Sequence, residues 1–142
     1  MNKFNRLNIQ GFRSVRELSD LALEPINILI GPNGAGKSNL IAFFKMLNQM
    51  TDSMGNLQIF IGKYGGGNAL LYEGPAVTSR MKASLRFETD KDIYDYKMEL
   101  FHAGPDTLIF SDEKYRRIVP ASRQGANPDS GNGIPWISLG SG

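Results

Sequence analysis

One stretch of the chain combines residue types and a spacing that suit phosphate binding. Residues 31–38 read Gly-Pro-Asn-Gly-Ala-Gly-Lys-Ser, which fits the phosphate-loop template of Gly, four residues, Gly, Lys and Ser or Thr. The glycines, Gly34 and Gly36 among them, let the backbone turn tightly, so that N–H donors converge beside the positive end of a following helix. The octet therefore predicts a polyphosphate site, and the alternative is a Gly-rich turn that only caps a helix.

Side chains of the octet suit a nucleotide and its metal ion. Lys37 supplies a point charge for the β- and γ-phosphates, and Ser38 offers a hydroxyl to Mg²⁺. Asn33 lies where its side chain could reach a γ-phosphate or a partner subunit. We therefore predict ATP and Mg²⁺ as cofactors and Ser38 as a metal ligand, while no catalytic residue is identified.

Composition narrows the remaining possibilities. The 142 residues suffice for one domain, and the net charge of +2 argues neither for nor against a nucleic-acid partner. With no Cys and only one His, His102, thiolate metal sites, disulfides and His clusters are excluded. No apolar run approaches the ~20 residues that span a bilayer, so we expect a cytoplasmic protein without a membrane partner.

The elements around the octet follow from hydrophobic periodicity. Residues 26–30 read Ile-Asn-Ile-Leu-Ile, which predicts a central strand covered on both faces. A helix is predicted from Lys37 to about Met50, because Leu40, Phe43, Phe44 and Leu47 share one face. A second short helix is predicted over residues 57–64, between Asn56 as N-cap and Gly65 as the stop.

Alternating residues predict further strands on both sides of these helices. Residues near 7–9 and 21–23 alternate around a turn over 11–18, and residues 81–87 and 94–100 predict a hairpin. A third strand is expected over 107–110. The predicted fold class is α/β, a P-loop NTPase domain with a mixed sheet and an antiparallel β lobe.

The chain divides into two parts by composition. Residues 1–120 are predicted to form the P-loop ATPase lobe, and residues 121–142 are rich in Gly, Ser and Pro, which indicates a flexible segment leading to a C-terminal part. Trp136 and Ile137 are the bulky apolar residues late in that segment, and we expect them to dock on a surface that this chain lacks.

Three stretches together resemble a known family. Residues 8–14 (NIQGFRS), 25–30 (PINILI) and 31–40 (GPNGAGKSNL) are similar to the N-terminal part of RecF/SMC-like ATPases, most of all to the predicted AAA-type ATPases of bacteria that include the OLD-like group. The resemblance implies an ABC-type ATPase head, in which two heads of a homodimer sandwich two ATP molecules, with DNA as a possible further partner. The residues it implies at the nucleotide are Asn33, Gly34, Ala35, Gly36, Lys37, Ser38 and Asn39, with Arg13 and Ser14 nearby. For Arg13 the alternative is a solvated turn residue.

The sequence departs from that family in its catalytic parts. It contains no Ser-Gly-Gly signature motif and no switch histidine, and Asp112-Glu113 is the one candidate for the acidic pair that holds Mg²⁺ and a catalytic base. We expect that pair to be an ordinary strand end, because only three apolar residues precede Ser111. His102, Tyr94 and Tyr96 are expected to be structural, and the pair Arg116-Arg117 keeps a phosphate contact as its alternative.

The octet predicts an ATP-binding lobe, and the resemblance implies that this lobe is the N-terminal piece of an ATPase in a DNA-repair, chromosome-maintenance or phage-defence machine. Alone it should bind ATP with little hydrolysis, since phosphoryl transfer needs groups that it lacks. Two alternatives stay open, a P-loop phosphotransferase and a non-catalytic binding module.

Overall fold

A computed structural model describes residues 3–52, 56–119 and 135–139 of the chain. Its strands are β1 (Lys3–Phe12), β2 (Val15–Ala22), β3 (Arg80–Glu88), β4 (Ile93–Ala103), β5 (Thr107–Ile118) and β6 (Ile137–Ser138), and its helices are α1 (Lys37–Asp52), α2 (Asn56–Lys63) and α3 (Gly66–Leu70). The six strands form one sheet in the order β2-β1-β3-β4-β5-β6. Every pair of neighbouring strands in this sheet is antiparallel.

Alternation along the strands divides the sheet into two faces. Apolar side chains from the three central strands are buried under the helices, on what we call the helix face: Leu7, Ile9, Met81, Ala83, Leu85, Met98 and Leu100. The residues between them are polar and form the opposite face, which we call the open face: Arg6, Asn8, Lys82, Ser84, Arg86, Asp95, Lys97 and Glu99. Because the side-chain period of a strand is two residues, register fixes which residues each face receives. The predicted hairpin is confirmed, with Leu85 opposite Tyr96.

Helix α1 lies on the helix face through the residues that periodicity singled out. Phe43 is fully buried with its ring 5.5 Å from that of Phe12, and the ring of Phe44 lies 6.0 Å from that of Phe4. Edge-to-face geometry of this kind suits the positive edge and negative face of aromatic rings. The predicted helix 37–50 is therefore confirmed, and α2 also forms as predicted, with Leu57, Phe60 and Ile61 buried.

Residues 26–30 contradict the prediction of a central strand. None of them is in a strand or helix, and Ile26, Ile28 and Ile30 are at least 80% exposed. The last ladder bond before them runs from the N–H of Leu23 to the carbonyl of Asn5, after which Asn27 hydrogen-bonds the backbone of Glu24 through its side chain and bends the chain away. A buried strand needs hydrogen-bonding partners on both sides. Each described strand pairs with its neighbours in the sheet, and none of them pairs with residues 26–30.

The prediction of a mixed sheet is therefore wrong for the described residues, which form an antiparallel sheet throughout. The expected separate lobe is also absent, because β3 of the hairpin pairs directly with β1. The β1–β2 turn is limited to Arg13 and Ser14 rather than 11–18, and β5 continues eight residues past the predicted end at 110. Helix α3 was not predicted.

The late apolar residues find a surface within this chain, contrary to expectation. Residues Ile137–Ser138 pair with β5, and Trp136 lies over Lys97 and Arg116 on the open face. The remainder of the predicted flexible segment, residues 121–134 and 140–142, lies outside the described residues. No helix in the described part of the chain is long and apolar enough to cross a membrane.

Candidate nucleotide-binding site

The octet 31–38 forms a solvent-exposed turn that runs directly into α1. Gly34 and Gly36 have φ values of 87° and 90°, in the left-handed region that L side chains rarely adopt. The N–H of Ala35 donates to the carbonyl of Pro32, and the carbonyl of Gly36 accepts from the first turn of α1. The two glycines thus give the loop the backbone reversal that the sequence predicted.

Lys37 folds back over the loop that precedes it. Its Nζ donates to the carbonyl oxygens of Gly31 and Pro32, each at 2.6 Å. Phosphate oxygens could replace these two carbonyl oxygens at the ammonium group, because both are hydrogen-bond acceptors and phosphate also carries negative charge. The loop therefore holds one positive charge above its backbone.

Several backbone donors of the loop are left for a ligand. In the described part of the chain, the N–H groups of Gly34, Gly36, Lys37 and Ser38 donate no backbone hydrogen bond. The first N–H groups of a helix have no acceptor within the helix, and their dipoles favour an anion. Exposed donors at a helix N-terminus beside a lysine are suited to an anion such as phosphate, and the contacts predicted for these residues stay a prediction.

The β1–β2 turn brings Arg13 and Ser14 to this loop. Asn39 donates from Nδ2 to Ser14 Oγ at 2.5 Å, and that hydroxyl lies 3.4 Å from where a Cβ on Gly36 would be. The structure thus brings together three of the positions that the resemblance implied. Arg13 sits with its Cζ 5.9 Å from the ring centroid of Tyr64, so it is not simply a solvated turn residue.

The end of α3 and the residues after it position this turn, a role that sequence reasoning missed. The N–H of Arg13 donates to the carbonyl of Leu70, and the N–H of Tyr72 donates to the carbonyl of Gly11. The ring of Tyr64 also stacks on Phe60 at 4.2 Å, which fixes the aromatic face that Arg13 meets. The two backbone hydrogen bonds join positions far apart in the sequence, and no sequence pattern predicts them.

A family model described as an AAA domain matches residues 6–126, which is most of the chain and includes the loop. The chain belongs to the AAA domain family. It is also similar to the small ribosomal subunit biogenesis GTPase RsgA of Phytoplasma mali (strain AT), with 31% identity over 111 residues, which are 77% of this chain and 35% of that protein. The chain spans about a third of the length of this curated relative. No solved structure matches it.

Membership confirms the broader sequence-based prediction, that this AAA domain is a nucleotide-binding P-loop NTPase.

The candidate acidic pair, Asp112 and Glu113, lies within β5 and not at a strand end, where we expected it. Asp112 pairs with Lys114 at 2.6 Å, and Glu113 accepts a hydrogen bond from Tyr96 at 2.6 Å. Burial, together with that hydrogen bond, raises the pKa of Tyr96. Both carboxylates thus have partners in the sheet.

The metal ligands of this AAA domain are incomplete in the described residues. No group of three His, Asp or Glu side chains that could hold a metal ion occurs in ranges 3–52, 56–119 and 135–139. Ser38 is exposed at the start of α1 and offers one hydroxyl oxygen, a ligand type that Mg²⁺ accepts. The loop thus fits the phosphates well and supplies one of the several oxygens that the metal takes.

The other polar residues singled out in the sequence have structural partners. His102 Nε2 lies 3.2 Å from Asp106 Oδ1, which also accepts from the N–H of Asn68 at the start of α3. Tyr94 and Tyr96 lie on the helix face, opposite Phe87 and Leu85 of β3, in the structural position that we expected. Arg116 and Arg117 pair with Asp95 and Asp92 respectively.

Proposed function

We propose that this AAA domain is the ATP-binding lobe of an ABC-type, RecF/SMC-like ATPase. The observation that carries the proposal is the exposed loop 31–38, with its free N–H donors and Lys37, held to the β1–β2 turn through Asn39 and Ser14. Asn33, Gly34, Ala35, Gly36, Lys37, Ser38 and Asn39 are proposed to contact the phosphates and Mg²⁺, with Arg13 and Ser14 beside the nucleotide. Mg²⁺ would neutralise phosphate charge when bound.

Hydrolysis is proposed to require more than the described residues contain. Asp112 and Glu113, the candidate acidic pair, already have partners within the sheet. We therefore propose that the carboxylate that positions the attacking water comes from outside the described residues. The exposed apolar residues 26–30 support completion by a further lobe and a second head, as the resemblance implies. In that assembly we propose a cytoplasmic machine for DNA repair, chromosome maintenance or phage defence.

Titration calorimetry with Mg-ATP tests the nucleotide site. We expect weak saturable binding to the wild-type chain, because one lobe supplies only part of the contacts, and no measurable binding to Lys37→Ala. Lys45→Ala is the matched control, since Lys45 is an exposed lysine on the same helix. Circular dichroism shows whether each variant keeps its fold. Equal affinity of the wild type and Lys37→Ala would contradict the assignment of Lys37.

The preferred nucleobase and the hydrolysis of the nucleotide are tested with the same protein. The similarity to a GTPase makes GTP the second candidate ligand, and tighter binding of GTP than of ATP would favour it. We expect little phosphate release from the chain alone, since losing positioned groups costs several powers of ten in rate. Turnover that disappears in Asp112→Asn or Glu113→Gln would show that this pair is catalytic.

A further inference from the structure

A shallow pocket on the open face of the sheet concentrates positive charge away from the nucleotide loop. Its volume is about 220 Å³, and no residue of the loop 31–38 lines it. Four cationic side chains line it, Arg6, Arg86, Lys97 and Arg116, with one carboxylate, Asp95. Three of the strands alternate these residues with buried apolar ones, so the pocket opens on the side opposite α1.

A groove of about 350 Å³ adjoins the pocket on the same face of the sheet. The groove shares Asn8, Ser84 and Lys97 with the pocket.

Asp95 fixes two of the guanidinium groups in place. Arg86 donates from Nε and Nη2 to the two carboxylate oxygens at 2.6 and 2.9 Å, and Arg116 donates from Nε and Nη2 to Oδ2 at 3.0 and 2.8 Å. Burial alone would raise the pKa of Asp95, but the hydrogen bonds from both arginines outweigh it and the pKa lies below its usual value. Each guanidinium has five N–H donors and uses two of them here, so three remain on each.

Trp136 contacts two of the four positive groups of the cluster. Its ring centroid lies 4.7 Å from Lys97 Nζ and 4.7 Å from Arg116 Cζ. Lys97 takes part in no ion pair among the described residues, and Arg6 is paired with Asp20 at 2.7 Å. Four cations therefore face two carboxylates, and the uncompensated charge lies at Lys97 and across the two arginines that share Asp95.

We propose that this pocket binds a phosphate group, either as a free ion or in the backbone of a nucleic acid. Guanidinium groups held in fixed orientation suit the oxygens of phosphate, and a lysine beside them adds a point charge. The site uses no residue of the octet 31–38, so it does not rest on the proposed function.

Trp136 makes the pocket directly observable, because it is the one tryptophan of the chain. We expect its fluorescence to change saturably as inorganic phosphate is added to the full chain. Lys97→Gln and Arg86→Gln should each weaken the apparent affinity about tenfold, the effect of losing one charged hydrogen bond. Calorimetry in the Lys37→Ala background, where the loop 31–38 no longer contributes phosphate binding, measures the same affinities without the fluorophore, since Lys97→Gln also changes the surroundings of Trp136.

Two control variants separate this site from other effects. Lys45→Gln removes an exposed lysine on α1, and Lys37→Ala removes the lysine of the nucleotide loop; both should leave the Trp136 titration unchanged. Lys97→Gln breaks no ion pair within the described residues, so its fold should persist even if Arg86→Gln unfolds. Equal phosphate affinity in the wild type, Lys97→Gln and a folded Arg86→Gln would overturn the proposal.

An oligonucleotide arm identifies the source of the phosphate. A single-stranded oligonucleotide that produces the same Trp136 change at lower concentration, and loses it in Lys97→Gln, supports a nucleic-acid backbone. Binding no tighter than that of inorganic phosphate supports a free ion. An oligonucleotide affinity that is unchanged in Lys97→Gln would contradict a backbone contact at this pocket.

Discussion

The antiparallel sheet and the segment 24–36 differ in how much of their backbone and apolar surface this chain covers by itself. In the sheet, β1, β3 and β4 have neighbours on both sides, and side chains such as Leu7 and Leu85 are buried. In the segment, Ile28 and Ile30 are 80% and 91% exposed and belong to no ladder. The phosphate-binding sequence thus sits on the part of the molecule that its own fold supports least.

The difference indicates where each part gets its stability. The sheet and α1 form a core whose contacts are all internal, which is the usual source of folding free energy. The loop 31–38 is attached to that core at its C-terminal end, through α1 and the Asn39–Ser14 hydrogen bond. Its N-terminal end follows an exposed apolar run. Binding of a ligand or of a covering protein surface should therefore order residues 24–36 more than it orders the sheet.

The largest expected effect comes from breaking the core of the sheet layer. Phe43→Ala removes a fully buried ring that packs on Phe12, and we expect a loss of about 3–5 kcal/mol in the free energy of unfolding. Ile28→Ala is the comparison variant, and because Ile28 is exposed we expect a change within about 0.5 kcal/mol. Urea denaturation measures both. A similar loss in the two variants would mean that residues 26–30 are packed in solution.

Sequence reasoning predicted the elements whose contacts are close along the chain. The face of α1 and the β3–β4 hairpin follow from periods of 3.6 and two residues, and both formed as predicted. The run at 26–30 was assigned to a central strand because its residue types suit one, but pairing depends on which other strands lie beside it. Periodicity describes a segment's preference and carries no information about its partners.

The candidate site divides in the same way. The octet and its tight turn were predictable, because glycine adopts without strain the positive φ values that Gly34 and Gly36 have. The position of Trp136 was not, since its partners Lys97 and Arg116 come from β4 and β5, far away in the sequence. Charged residues that look unremarkable along a strand become a cluster only when register places them side by side.

A smaller effect is expected from the ion-pair network of the open face. Asp95→Asn leaves Arg86 and Arg116 without their shared carboxylate, and we expect a loss of about 2 kcal/mol at pH 7. Asp112→Asn is the matched control, since Asp112 is 44% exposed and pairs with Lys114 on the surface, where a pair contributes at most about 1 kcal/mol. Equal denaturation midpoints for the two variants would contradict the larger stabilisation that we expect from Asp95.

The pH dependence gives this network its own signature. The pKa of Asp95 is lower in the folded chain than its ordinary value of about 3.9, so the unfolded state takes up its proton first as the pH falls. The stabilisation is therefore fully present above about pH 4 and is lost as the pH falls through the folded pKa. We expect the difference in unfolding free energy between the wild type and Asp95→Asn to shrink from pH 7 to pH 3. A constant difference would show that the charge of Asp95 is not its cause.

The smallest effect on folding, but a visible one on solution behaviour, is expected at the exposed run 26–30. Its isoleucines and its unpaired backbone groups together resemble an open sheet edge, which favours pairing with another chain. We expect the wild type to self-associate with rising concentration in light scattering, and Ile28→Ser with Ile30→Ser to reduce this without changing the free energy of unfolding. Ile59→Ser is the control, because Ile59 is a single exposed residue, 64% accessible, on α2. If Ile59→Ser reduced association as much, general surface hydrophobicity would be the cause, and the contrast between a complete sheet and an uncovered segment would lose its support.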